Sequence, residues 1–440
     1  MKETRRSACF FEDFFSQLID FRLQIVYNIH KITIRRSAFT ERKRLMRNES
    51  VAVLDVRSYE VTFFLGSKGV NDIFVLYDSH TEKYEGFSTK GLFDEDSFRR
   101  AVAKAITSVR QNYEGVIGEI YVGVPSSFVT VMTKGHTISF PSKRKISAQD
   151  IDALYESGLN GLLAKERCIR RSEMYFTLGD NRKYFNVNDL YGVPTTLLKG
   201  ALCYYFVSDD FYDAATGILN DLDFKDVKFL PSTLAQSLYL FPEKRREGYA
   251  FLLDMGFLTT SVSVAYGNGI VHEETFDCGL GTILVSLMRE LEVDYALAEE
   301  ILSTANVSGG GVPKELMWTS ERGDASFSVQ RINDVIKCSL DVLCENVENF
   351  FAKYYREKHT AAFAVNPIGV TGEGINGIAG AAEHISRRLN RLTEIVYPDL
   401  PYYDKPTFSS RMALLNMALS QKKKGGWLHR IFNNIGGKKK

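Results

Sequence analysis

No run in the 440-residue sequence approaches the ~20 uninterrupted apolar residues that a membrane-crossing helix needs, which argues against an integral membrane protein of the helical kind. Charge of one sign is also missing. With 55 Lys and Arg against 54 Asp and Glu, the net charge of +1 gives no whole-protein reason to expect nucleic acid, so any charged partner must be met by a local patch. Cysteine is sparse and scattered. Its six positions, Cys9, Cys168, Cys203, Cys278, Cys338 and Cys344, show no C-x-x-C spacing and no histidine cluster that would suggest zinc, and read as reduced cytosolic thiols.

What is present is a hydrophobic share of 45% with abundant Phe and Tyr, on a chain long enough for two or more lobes. The most informative stretch is Phe251 to Tyr266, two buried strands joined by a polar corner of Asp254, Gly256, Thr259 and Thr260. An apolar strand ending in Asp-x-Gly, followed by hydroxyl residues and a β-branched strand, brings a carboxylate, backbone N–H groups and threonines to phosphate and Mg²⁺. The alternative is an ordinary hairpin with a glycine turn.

Residues 1–49 combine an interrupted apolar segment (Phe10, Phe11, Phe14, Phe15, Leu18, Ile19, Phe21) with a basic run from Arg35 to Arg47. Two readings stand for this stretch, an upstream extension without a folded role, with Met46 the true start, or a partner-binding or membrane-touching arm. Strands are expected at Val51–Val56, Glu60–Leu65 and Asp72–Tyr77, then a helix over Phe98–Val109 and a strand at Glu119–Val124, the opening of an α/β lobe. Strands Val129–Met132 and Thr137–Phe140 with a turn at Gly135 follow, then a helix capped by Ser147, all within a small inserted subdomain. Helices at Ala214–Leu222 and Thr233–Leu240 flank the strand Val227–Leu230. After the corner, Gly279 and Gly281 open a helix over Ile283–Leu291, where free N–H groups can bind an anion or the glycines can simply turn the chain. A short helix at Ala296–Leu302, the glycines Gly309–Gly311 and a long helix Arg331–Tyr355 come next. The strand Ile368–Thr371 runs into Gly372-Glu373-Gly374 and a helix carrying Ile378, Ala382 and Ile385, a pattern that accepts a nucleotide base or phosphate.

Two lobes that each open on an acid-ended strand, at Asp55 and Asp254, resemble the actin, heat-shock chaperone and sugar-kinase superfamily. More narrowly the chain resembles the bacterial cell-division protein FtsA over most of residues 50–436. Val122–Ser126 through Asp150-Ile151 is similar to the strand and helix of FtsA's inserted subdomain, and Gly248–Thr260 to its second phosphate motif. Glu273–Gly281, Arg331–Phe351, Val370–Ala382 and Lys405–Leu415 are similar to its later segments. The resemblance implies a two-lobed, actin-like (ribonuclease H-like) α/β fold. Its expected parts are a first lobe at 50–118 and 208–245, an inserted subdomain at 119–207 and a second lobe at 246–420 with a small subdomain near 293–330. A linker at 421–426 and an amphipathic helix with a basic tail at 427–440 complete it. It further implies ATP and Mg²⁺ held by Asp55, Arg57, Ser58, Asp254, Gly256, Thr259, Thr260, Gly279, Gly281, Glu299, Gly372, Glu373 and Gly374, with Asp55 and Asp254 on the metal. It also implies an FtsZ-type polymer as partner, self-association into filaments, and a place on the cytoplasmic face of the membrane at the division site.

The nucleotide segments depart from that family. Asp55-Val56-Arg57 replaces Asp-x-Gly, setting a bulky cation where backbone should approach phosphate; Arg57 can still neutralise phosphate from the side. Phe257 and Leu258 replace glycines, and Ala298-Glu299-Glu300-Ile301-Leu302 lacks the family's lysine. Thr233 and Gln236 are the nearby candidates for orienting water. At most weak ATP binding and slow hydrolysis are expected, because phosphoryl transfer rests on positioning and charge. The tail is clearer. At ~100° per residue Trp427, Leu428, Ile431, Phe432 and Ile435 share one face, with Arg430 opposite and Lys438, Lys439 and Lys440 beyond, the pattern of a helix lying on anionic lipid. The expected function is an FtsA-like adaptor that tethers a polymer to the membrane. The alternatives are an active actin-like ATPase or kinase and a scaffold similar to the pilus-assembly protein PilM.

Overall fold

A computed structural model describes residues 50–421 except 70–72, 114–116, 118, 161, 163–165, 309–314, 321–322 and 356–365. The N-terminal extension, Gly309–Gly311 and the whole tail, including Trp427 to Lys440, lie outside the described residues. By its contacts the chain divides into two units, of which the smaller takes in Ser67–Val75 and is closed by a Gly69 N–H to Ile73 carbonyl bond of 2.7 Å. The larger unit, Val51–Gly66 and everything from Leu76 on, holds the rest of the fold.

The first lobe begins with β1 (Val51–Val56), β2 (Glu60–Lys68), β3 (Phe74–Lys83), and a short hairpin of β4 (Phe87–Ser88) and β5 (Gly91–Leu92). Helix α1 (Glu95–Asn112) follows, capped by Asp94, whose carboxylate accepts from the Ser97 N–H at 2.8 Å. It buries Phe98, Val102, Ala105, Ile106 and Val109, the stripe its 3.6-residue period predicts. Strand β6 (Glu119–Val124) then pairs parallel to β1, so it belongs to the first lobe's sheet rather than to the inserted subdomain to which residue 119 was expected to give entry.

The insertion holds β7 (Val129–Lys145), α2 (Ala148–Asn160), β8 (Arg167–Thr177), β9 (Lys183–Tyr184) and β10 (Pro194–Val207) in one antiparallel sheet, ordered β7-β10-β8-β9. Here the expected turn at Gly135 is absent. Gly135 pairs with Ala201 within a 17-residue strand, because β10 supplies a partner in continuous register from Leu197 to Val207. Ser147 and Asp150 do mark the start of α2, the Ser147 N–H and hydroxyl both donating to the Asp150 carboxylate at 2.9 and 2.7 Å.

The chain returns through α3 (Asp209–Asp221), β11 (Asp226–Pro231), α4 (Ser232–Leu240) and α5 (Glu243–Arg246). The second lobe has β12 (Ala250–Met255), β13 (Thr260–Tyr266), β14 (Gly269–Phe276), α6 (Leu280–Leu291), α7 (Tyr295–Thr304), β15 (Glu315–Ser320), β16 (Gly323–Ser328), α8 (Val329–Tyr355) and β17 (Ile368–Thr371). It closes with α9 (Glu373–Asn376), α10 (Ala381–Arg388) and β18 (Thr393–Ile395). The single helix expected to carry Ile378 is two, with Ile378 between them: the first stops at Asn376, and the second starts at Ala381 after Gly380, its N-cap, at φ +81°. A helix at 409–421 returns to the first lobe, where Leu414 and Leu415 occupy the space left free by Gly123 and Gly66.

The two five-stranded sheets repeat one topology. The first runs β11-β6-β1-β2-β3 and the second β18-β17-β12-β13-β14, each with an antiparallel hairpin beside parallel strands. Each covers an apolar core, Leu54, Phe63, Val102 and Phe211 among the residues of the first and Leu253, Leu287, Ile336 and Val370 among those of the second. The architecture is two-lobed α/β, as expected.

Candidate functional site

The repeat places two equivalent turns opposite each other. In the first, the Arg57 N–H donates to the Glu60 carbonyl at 2.9 Å; in the second, the Gly256 N–H donates to the Thr259 carbonyl at 2.9 Å. Arg57 therefore stands where the second turn has glycine. Its guanidinium crosses to Asp254 in a bidentate pair, with 2.7 Å to Oδ2 and 2.9 Å to Oδ1. Gln236 on α4 adds a third bond, Nε2 donating to Asp254 Oδ2 at 2.9 Å. Burial works against both charges, yet each partner overcomes it: Asp254 is held below the ordinary carboxylate value and Arg57 well above the ordinary guanidinium value.

Contacts continue along the tips. The Leu258 N–H donates to Ser58 Oγ at 3.1 Å, and the Tyr59 and Phe257 rings stack at 4.1 Å with 16° between planes. Asp55, buried at the end of β1, accepts from Ser410 Oγ at 2.7 Å and lies 3.9 Å from the Arg411 guanidinium, which also holds Glu60 at 2.7 Å. Burial raises the Asp55 carboxyl, with Arg57, Arg411 and the Ser410 hydroxyl opposing that rise.

Between the turns lies a cavity of about 30 Å³, lined by hydroxyls of Ser58, Ser126, Ser232, Thr233, Thr259 and Ser261 besides Arg57, Gln236 and Asp254. That is room for water, not for a nucleotide, whose pockets run to several hundred Å³. The Ser232 hydroxyl and Gln236 Oε1 are buried without a protein partner.

The expected site residues divide accordingly. Asp55, Arg57, Ser58, Thr233, Gln236, Asp254, Gly256 and Thr259 gather around or beside the cavity. Gly372, at φ +96°, brings its loop against Asp254, since a Cβ there would stand 2.5 Å from Oδ1 and 2.4 Å from the Met255 carbonyl. Gly374 approaches Met255 as closely, and Glu373 sits in the same corner, its carboxyl raised by burial with Oε1 unpartnered. Four others are used differently. Gly279 and Gly281 do not present free donors: the Leu280 and Gly281 N–H groups bond to the Gly256 and Phe257 carbonyls at 3.0 and 2.7 Å, and the Gly279 N–H meets Thr282 Oγ1 at 3.3 Å. Thr260 is turned into the core, its hydroxyl donating to the Cys278 carbonyl at 2.5 Å. Glu299 is exposed on α7 and accepts from the Tyr295 hydroxyl at 2.7 Å.

Magnesium does not fit this donor set as it stands. Both Asp254 oxygens are committed to a cation and an amide, both Asp55 oxygens face a hydroxyl and a guanidinium, and among the described residues no group of three ligating side chains converges. Sequence reasoning missed Ser410, Arg411 and the Ser126 and Ser232 hydroxyls, which topology alone brings here. It also missed Glu273, whose buried carboxyl beside the Thr233 hydroxyl is pushed up to about 8 by desolvation.

The class these features define is the actin-like fold. No family model and no curated protein sequence matches the chain. Among solved structures, the PilM-PilN type IV pilus biogenesis complex is similar at 12% identity and a TM-score of 0.53, over 84% of this chain and 98% of that one. MreB 5 of Spiroplasma citri bound to AMPPNP is similar at 9% identity and a TM-score of 0.52, over 86% and 98%. At these identities the likeness is one of fold.

Proposed function

We propose that the protein is an FtsA-like scaffold that tethers an FtsZ-type polymer to the cytoplasmic face of the membrane at the division site, with a nucleotide cleft that no longer cycles. The observation that carries the non-enzymatic half is the Arg57–Asp254 pair, which joins the two turns directly where a cycling ATPase must admit metal and phosphate. ATP and Mg²⁺ bind weakly or not at all. Support for the membrane half is the tail, whose aromatic and aliphatic face from Trp427 to Ile435 and flanking lysines supply the two signals that stable anchoring needs. The bilobed fold is suited to head-to-tail self-association, which generates open filaments.

Flotation of anionic vesicles with the full chain tests this reading. The chain should float with vesicles containing phosphatidylserine or phosphatidylglycerol in the absence of nucleotide, and a peptide from the FtsZ C-terminus should bind it with or without ATP. Vesicle binding that requires ATP, or no binding of the peptide, would contradict the proposal.

A further inference from the structure

We propose that Arg57 is the chain's own substitute for the metal ion and phosphate between the two turns, a residue that holds the cleft shut and excludes Mg-nucleotide. The inference rests on the scaffold reading above and names the residue responsible. Its ground is the internal repeat. The two turns share one backbone bond, N–H of the third residue to carbonyl of the sixth counted from Asp55 and Asp254, so the second turn shows what the first would be without a side chain there. At Gly256 a Cβ would stand 2.8 Å from the Thr259 carbonyl, so the tightness of the second turn itself requires glycine, while an Arg57 nitrogen would lie at ordinary contact distance, 3.5 Å.

A cation belongs at that point on electrostatic grounds. Asp254, Asp55 and Glu373, whose Oε1 is unpartnered, all bias the position toward positive charge, and Arg57 supplies it with a fixed fork that matches both Asp254 oxygens. The pair is only 17% and 10% exposed, so salt and water screen it little. A nucleotide would have to part this pair, release the Leu258 N–H from Ser58 and separate the stacked Tyr59 and Phe257 rings before any phosphate could enter. Closure, which a ligand would otherwise provide, is thus built into the sequence.

The experiment uses the full chain and two readouts. In the first, thermal melting is followed with Mg-AMPPNP at about 1 mM and with Mg²⁺ alone. Wild type should not shift, Arg57→Gly, though melting lower at the outset, should rise by about 5 °C with Mg-AMPPNP, and Arg57→Lys, which keeps the charge but not the fork, should fall between them. In the second, Ser58→Cys and Leu258→Cys are combined in an otherwise wild-type chain and oxidised. Cross-linking should be as fast without nucleotide as with it. A wild-type shift as large as that of Arg57→Gly would overturn the inference, while the scaffold reading, which allows weak ATP binding, is decided separately by vesicle and peptide binding. A folded Arg57→Gly chain that does not shift with Mg-AMPPNP would remove Arg57 as the gate and leave the scaffold reading standing. Should Arg57→Gly fail to fold, the cysteine pair decides: cross-linking that is slow until Mg-AMPPNP is added means the cleft is not closed by the chain itself.

Discussion

Arg57 and Asp254 are 197 residues apart in sequence, and their energetics follow from the removal of both from water. Losing one partner leaves a buried charge, whereas losing both to apolar residues of similar size leaves a packed contact. Arg57→Met or Asp254→Leu alone should therefore cost about 3–5 kcal/mol in denaturant unfolding, and the double variant much less than their sum. Proton linkage gives a second expectation. Asp254 is held below its ordinary 3.8, so its contribution is complete above that value and is lost as pH falls through the depressed one. Glu273 has the opposite sign. Its carboxyl is raised from 4.5 to about 8, so the folded state keeps a proton that the unfolded chain gives up, and stability declines as pH rises across that window. Glu273→Gln should raise the melting temperature at pH 8 and leave it nearly unchanged at pH 5; an equal effect at both would show that the acid is not buried neutral.

The elements most legible in the sequence are those whose pattern is local. The periodicity of α1, the acid-ended strands β1 and β12 and the alternation of β13 can each be read within a dozen residues. Gly135 misleads because its strand is held by β10, more than sixty residues on, and a glycine without visible partners looks like a turn. Gly279 and Gly281 mislead for a related reason, since the carbonyls that take up the donors there belong to another turn. The cross-cleft pair was beyond reach altogether, because it depends on how two lobes meet. The turn Gly267-Asn268 likewise gains its meaning only from contact: the Asn268 side chain donates to Glu173 Oε1 and to the Phe185 carbonyl at 3.0 and 2.9 Å, docking the inserted sheet on the second lobe. Gly267 has φ +60° and a Cβ there would fall 1.7 Å from the Met174 carbonyl, so Gly267→Ala should destabilise by at least about 2 kcal/mol in denaturant unfolding. The tail is the element whose prediction is independent of the cleft. Phe432→Glu should abolish vesicle flotation at any salt, whereas neutralising Lys438, Lys439 and Lys440 should weaken it on anionic lipid alone and less at high salt.

At the scale of the whole molecule, the Arg57–Asp254 contact across the cleft and the tail proposed to bind lipid fit the proposed role of a protein that works by holding things together. Turnover of ATP should lie below roughly one per second, under the usual enzyme range, because among the described residues no three ligating side chains converge and the cavity between the turns holds about 30 Å³. The helix at 409–421 braces the base of the first turn, Ser410 donating to Asp55 and Arg411 to Glu60, each at 2.7 Å. The measurement that tests the central claim most directly is co-flotation of GTP-assembled FtsZ polymers with anionic vesicles in the presence of this chain, with and without ATP. Polymers should rise with the vesicles whenever the chain carries its tail, equally in both conditions, and should stay behind when everything after Gly426 is removed. Polymers left at the bottom with the intact chain, or raised only when ATP is present, would contradict the account.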